Sequence, residues 1–208
     1  MLQNRTFIVF EGAPSTGKTT HAKNLVGYLQ QQGYDAVYVK MSPSEHFLGR
    51  NIIRLRRIQL PFVIEDPLYF IDAIREYGRI RAYLAEGKTV VTDKSPYNLL
   101  AFWNTFRNGT YASFMNNLVM RVFHNPVPDI IFYLTADYLE RVRRSKERDP
   151  ISKVDKIMLS PSADDRINFH LSRLLQSSAS KVVKVDTTHD SIETVDSTLV
   201  NLLFERVH

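Results

Sequence analysis

Five short runs of apolar and β-branched residues recur along the chain, at 6–11, 36–40, 88–93, 129–134 and 181–186. Each is followed by a longer stretch whose apolar positions repeat with helical spacing. Strands alternating with helices predict a parallel sheet covered by helices on both faces. Two helix starts carry local signals. Asp66-Pro67 and Ser95-Pro96 each place a capping side chain before a proline suited to the first helical position. The stretch 149–166 mixes Pro, Ser, Lys and Asp without clear periodicity and reads as a loop or short lid.

Composition narrows the picture. A chain of 208 residues with 44% hydrophobic and 24% charged content fits one α/β domain with a sizeable core, spanning 1–208 with a lid-like segment over about 143–165. No apolar run has the roughly 18 to 20 residues that a membrane span needs. The expected setting is cytoplasmic, without a membrane partner. Zero cysteines exclude disulfides, thiolate nucleophiles and zinc–cysteine sites, and the six histidines show no metal-ligand spacing. A net charge of +5, from 27 basic and 22 acidic side chains, suits a phosphate-bearing small molecule and falls short of a nucleic-acid-binding signature.

The first strand runs directly into Gly12-Ala13-Pro14-Ser15-Thr16-Gly17-Lys18-Thr19, and Thr20 opens a stretch with helical spacing. Strand, Gly-rich loop and helix in that order form a phosphate-binding P-loop, so ATP and Mg2+ are the expected cosubstrate and cofactor. Loop and helix N–H groups are placed to cradle phosphate oxygens, Lys18 to reach the β and γ phosphates, and the Thr19 hydroxyl to ligate the metal. Asp93 ends the third strand, where a carboxylate holds a metal-bound water, positions an acceptor, or simply caps the next helix. Lys94 beside it offers a point charge to phosphate, or is a solvated surface lysine.

Other residues have two readings each. The basic group Arg141, Arg143, Arg144, Lys146 and Arg148 precedes the lid-like segment. Spacing to that segment selects Arg144 and Arg148 for the transferring phosphate. Glu140 with Arg144 and Arg143 with Glu147 are equally spaced for i,i+4 ion pairs on an exposed helix. Tyr69 and Phe70 either stack on an acceptor base or belong to the core. Arg75 and Arg79 either grip the acceptor or pair with Asp72 and Glu76. Phe102, Trp103 and Phe106 form an aromatic patch suited to a core or a dimer face.

Beyond the loop the chain resembles the thymidylate kinase and deoxynucleoside kinase branch of the P-loop kinases. The resemblance rests on Phe10-Glu11-Gly12 with Gly17-Lys18-Thr19-Thr20, on Thr92-Asp93-Lys94-Ser95, on the strand around Ile130, on Leu139-Glu140-Arg141-Val142-Arg143-Arg144, and on Val185-Asp186-Thr187-Thr188. It implies strand order 2-3-1-4-5 and transfer of the ATP γ-phosphoryl group to a nucleoside monophosphate, dTMP to dTDP. It also implies a homodimer, with Arg141 and Thr187 on the adenine side and Tyr97 at the acceptor.

The chain departs from thymidylate kinases at Pro14, where they carry an acid, and at Met41-Ser42-Pro43, where they carry an Arg-Glu-Pro-like run. Their thymine-reading arginine aligns with Ala73. Asp93-Lys94-Ser95-Pro96-Tyr97 also resembles deoxynucleoside kinases, which phosphorylate a free nucleoside and need a carboxylate base; the acids nearest that role are Glu45 and Asp72. A kinase of another small hydroxyl compound is a further alternative. A nucleotide-binding regulatory ATPase is the alternative of another class, and it requires a partner surface and a water-positioning residue that the sequence does not point to.

Overall fold

The computed structural model describes residues 5–41, 61–123, 126–147, 157 and 159–205. Among them β1 (Phe7–Glu11), β2 (Ala36–Val39), β3 (Thr89–Thr92), β4 (Ile130–Thr135) and β5 (Lys181–Asp186) form one all-parallel sheet in the order β2-β3-β1-β4-β5. Among the described residues seven helices surround it: α1 (Lys18–Gln31), α2 (Phe62–Ala85), α3 (Pro96–Phe106), α4 (Gly109–Val122), α5 (Tyr138–Lys146), α6 (Pro161–Gln176) and α7 (Ile192–Glu205). The expected strands are all present, within a residue of their expected ends, and so is the expected strand order.

Side chains alternate across a strand, so β1 divides its apolar run between two cores. Phe7 and Val9 join Ile80 of α2, Trp103 of α3, Val119 of α4 and Leu171 of α6 on one face. Ile8 and Phe10 join Leu25 and Leu29 of α1 and Leu199 and Leu203 of α7 on the other. Every residue of β1 is buried, as a central strand covered on both faces must be. The order reverses at β1, which pairs with β3 on one side and β4 on the other. Open α/β sheets bind ligands at the carboxyl ends of strands beside such a reversal, because the loops leaving neighbouring strands diverge there and leave a crevice.

Ser95-Pro96 starts a helix as expected: Ser95 is extended, its hydroxyl accepts from Tyr97 N, and Pro96 occupies the first position of α3. Asp66-Pro67 does not. Helix α2 begins at Phe62, with Pro67 inside it. A proline this near the N-terminus removes one backbone bond and leaves the rest of the ladder intact. Asp66 caps nothing and is instead buried against Arg107, which donates to its two oxygens at 2.6 and 2.8 Å. The expected loop over 149–166 is also corrected. Residues 161–166 are the first turns of α6, where Pro161 at the start and Ala163, Asp164 and Ile167 on one buried face satisfy the helix. The lid-like segment of 143–165 is therefore helical at both described flanks, and 148–156 and 158 lie outside the described residues.

Candidate active site

The loop between β1 and α1 has three residues at positive φ, Gly12, Ser15 and Gly17, of which only the serine is of a type that rarely adopts it. Gly12 has φ +146°, and a Cβ there would stand 2.2 Å from Leu134 O, so only glycine fits against the end of β4. Gly17 is left-handed at φ +90° and turns the chain into α1, with His21 N donating back to Gly17 O at 3.0 Å. Thr16 Oγ1 donates to Ala13 O at 3.0 Å and Lys18 Nζ to the same oxygen at 2.6 Å, which folds the loop over its own centre. Helix α1 has no acid in its first turn and no side-chain cap at its N-terminus. Its leading N–H groups and the positive end of its dipole therefore remain for an anion.

Thr19 and Asp93 meet next to this loop. Thr19 Oγ1 donates to Asp93 Oδ2 at 2.6 Å, and Asp93 Oδ1 is buried with no hydrogen-bond partner. A buried carboxylate oxygen left unsatisfied is costly unless something cationic or hydrogen-bonding completes it. A magnesium ion fits that requirement. Mg2+ is commonly held by one or two protein oxygens, with substrate phosphate and water supplying the rest, so a hydroxyl and a carboxylate suffice. Among the described residues no group of three or more His, Asp or Glu could form a dedicated cage.

Glu11 was not among the residues the sequence selected, yet it organises the site from beneath. It is fully buried at the end of β1 and accepts from Ser95 N at 2.7 Å, from Ser95 Oγ, and from Asn98 Nδ2 at 3.1 Å. Burial pushes its carboxyl above the usual range, while the bonds from Ser95 and Asn98 and the nearby Lys18 ammonium draw it back. Through Ser95 it fixes the turn that carries Asp93 and Lys94, and Thr92 Oγ1 closes that turn on Lys94 O at 2.9 Å.

On the outer side of the loop lies a cleft of about 530 Å3, bordered by Ser15, Gly17, Thr20, Arg144, Thr187 and Ile192. Arg144 Nε donates to Glu140 Oε1 at 2.8 Å, its Nη1 to Thr187 Oγ1 at 3.1 Å and its Nη2 to Thr187 O, so the guanidinium is fixed at the border of the cleft. Hydrogen bonds from Arg143 and Arg144 hold the Glu140 carboxyl down at about 2. Thr187 is buried, and its hydroxyl also reaches Thr16 O at 3.2 Å, linking the β5 end to the phosphate loop. Both expected i,i+4 pairs form, Glu140 with Arg144 and Arg143 with Glu147. Arg141, expected on the adenine side, lies elsewhere. It is 3% exposed, paired through both terminal nitrogens with Asp164 and bonded through Nε to Ala136 O at 2.9 Å. An arginine with its donors so occupied ties α5 to α6 and leaves little for a ligand. Arg148 and Glu45 lie outside the described residues.

The expected acceptor residues separate. Lys94 is half-buried directly after Asp93. Phe70 is in the core, its ring 5.7 Å from that of Phe123, and so does not stack on a base. Tyr69 beside it on α2 is half-buried. Tyr97 turns its hydroxyl away, onto Ser178 Oγ at 3.1 Å. Arg75 is exposed, whereas Arg79 pairs with the buried Glu76 at 2.8 Å, as the plainer reading expected. Asp72 is buried on the same helix. The signal that could have found Glu11 was an acid at the end of an otherwise apolar strand, a position that must be either satisfied or functional.

Comparison with known proteins bears on what this arrangement does. A family model described as Thymidylate kinase matches residues 10–198. A probable thymidylate kinase of Pyrococcus abyssi (strain GE5 / Orsay) is 28% identical over 160 residues, covering 73% of this chain and 75% of that protein. One of Thermococcus kodakarensis (strain ATCC BAA-918 / JCM 12380 / KOD1) is 26% identical over 215 aligned positions, covering 95% and 96%. The crystal structure of thymidylate kinase from Ehrlichia chaffeensis superposes with a TM-score of 0.69 at 20% identity, over 97% of this chain and 99% of that one. At that identity the structural likeness speaks for the fold.

Proposed function

The chain belongs to the thymidylate kinase family, and from that premise we propose that it transfers the γ-phosphoryl group of ATP to thymidylate, with magnesium, giving thymidine diphosphate. The observation that carries the reading is the Thr19–Asp93 pair beside the phosphate loop, with one Asp93 oxygen buried and unmatched.

A nucleoside monophosphate arrives with its phosphate already ionised, so the transfer needs alignment and cations and no general base. The loop amides and the N-terminus of α1 bind the triphosphate, and Lys18 exchanges Ala13 O for phosphate oxygens. Thr19 and Asp93 would hold Mg2+, which would offset the negative charge of the phosphates. Glu11, acting through Ser95, keeps Asp93 and Lys94 at the strand end, where Lys94 faces the acceptor phosphate as a point charge. Arg144, its edge donors held by Glu140 and Thr187, lines the outer cleft and offers the nucleotide a guanidinium face and a positive charge.

A cytoplasmic setting belongs to the same proposal, because ATP and nucleoside monophosphates are cytoplasmic metabolites. So does a homodimer. Ile64, Pro67, Ile71, Ile74 and Gly78 are all exposed on α2, and their alternate spacing of three and four residues draws one stripe down the helix. Such a stripe is the seam of a helix pair, and a second copy of α2 supplies the matching face. Among the described residues no helix is long and apolar enough to cross a membrane.

The test is a panel of nucleosides and nucleoside monophosphates offered with ATP and magnesium, the products identified by mass. Thymidylate should be the best acceptor, and Lys18→Ala should remove turnover while leaving the melting curve in place. Phosphorylation of free nucleosides only would replace the reading with a nucleoside kinase. ATP hydrolysis independent of any acceptor would replace it with a regulatory ATPase.

A further inference from the structure

His21 stands one turn into α1 and is buried, although nothing in the proposed chemistry uses it. Its Nδ1 lies 2.7 Å from Asp196 Oδ1, a contact between residues 175 apart in sequence. The second oxygen of Asp196 accepts from Asn24 Nδ2 at 2.7 Å, so one carboxylate holds two successive turns of α1. Asp196 itself is fixed. It lies on α7 next to Val195, which with Leu199 and Leu203 is buried against Leu25 and Leu29 of α1. A carboxylate at Nδ1 sets the orientation of the ring, as partners of buried histidines do elsewhere.

The opposite edge of that ring meets the phosphate loop. A Cβ placed on Gly17 would lie 2.9 Å from both Cδ2 and Nε2 of His21, so the imidazole fills the space under this glycine. Gly17 is the left-handed residue that turns the loop into the helix. Glycine alone is conformationally permissive, and its angles must be held by what packs on it. The ring also borders the outer cleft.

We propose that Asp196 and His21 are positioning residues for the donor nucleotide: Asp196 orients the imidazole, and its Cδ2–Nε2 edge seats Gly17 so that the loop amides converge on the phosphates. The inference rests on the reading of this loop as the ATP site. It extends the site to the C-terminal helix, and it makes α7 the rigid reference against which the loop is set.

The test separates the two halves of the ring. In His21→Asn the amide nitrogen occupies the place of Nδ1 and keeps the bond to Asp196, but the edge under Gly17 is gone. In His21→Gln the amide reaches the place of Nε2. ATP affinity by calorimetry and steady-state kinetics are measured for wild type, both variants, Asp196→Ala and the His21→Asn/Asp196→Ala double variant. His21→Asn should weaken ATP binding and raise its KM about tenfold, the scale of one misaligned charge-assisted hydrogen bond, with kcat and acceptor KM nearly unchanged. His21→Gln should recover part of the loss. Asp196→Ala should weaken ATP binding by a smaller factor, and the double variant should be no worse than His21→Asn alone. Wild-type ATP affinity in a folded His21→Asn, additive losses in the double variant, or a loss confined to kcat or to the acceptor would overturn the inference. A wild-type protein that bound no ATP would overturn the donor-site reading itself, a result separate from these.

Discussion

Thr19 and Asp93, 74 residues apart, share a hydrogen bond of 2.6 Å that joins the first turn of α1 to the carboxyl end of β3. The bond leaves Asp93 Oδ1 buried and without a partner, and the next helix is capped by Ser95, so the proposed metal role of Asp93 is open to test. Asp93→Asn retains an oxygen for Thr19 and removes the charge. The magnesium concentration giving half-maximal rate should rise about 10- to 100-fold, the usual cost of disturbing a metal's immediate support. An unchanged magnesium titration would assign Asp93 to the fold alone.

Arg144 is constrained by Glu140 on its own helix and by Thr187 at the end of β5, whereas its neighbour Arg143 is 59% exposed. The two arginines should therefore differ. Arg144→Ala should raise the KM for ATP about tenfold, and Arg144→Lys should recover little, because an ammonium cannot reproduce the planar fork. Arg143→Ala should leave that KM where it was. Equal effects from the two substitutions would count against the cleft as the nucleotide site.

Glu11 gives a pH signature. Burial raises its carboxyl above the unfolded value of 4.5, so the folded state binds a proton more tightly than the unfolded chain. The stability attached to that protonation is present below the unfolded value and is lost as pH rises through the folded one. Glu11→Gln cannot ionise, so the melting temperature of the variant minus that of wild type should increase from pH 4 to pH 8. A difference that stays flat or falls across this range would show that the carboxylate is not penalised by its burial.

The stripe on α2 predicts an assembly. Ile71 and Ile74 are 53% and 36% exposed, and Ile71→Glu with Ile74→Glu should add two charges to the seam with little effect on the monomer's core. Sedimentation should show a dimer for wild type and a monomer for the variant. A wild-type monomer at micromolar concentration would remove the seam from consideration.

The strands, their order, the Ser95 cap and the glycine-bearing turn between β1 and α1 were legible in the chain because each rests on neighbours in sequence or on a pattern tied to one fold. Where the reading went astray, competing contacts were long-range. Asp66 looked like a cap, but Arg107, 41 residues on, claimed both oxygens. Arg141 looked like a ligand-binding arginine, but Asp164 satisfied it in the interior. Phe70, open between an acceptor base and the core, went to the core face of α2, and Tyr97, expected at the acceptor, bonds Ser178, 81 residues on. Spacing within a helix states which residues share a side; it does not state what that side meets.

The sequence by itself determined the loop at residues 12–19, since those residues are contiguous and its glycines set its turns. Tertiary structure alone decided what supports that loop. Asp93 and Asp196 reach it across 74 and 175 residues through Thr19 and His21, and Glu11, which immediately precedes the loop, ties it to Ser95, 84 residues on. Those pairs exist because the parallel sheet sets the ends of β1 and β3 side by side and because α1 packs against α7, and no local pattern encodes which distant residue arrives.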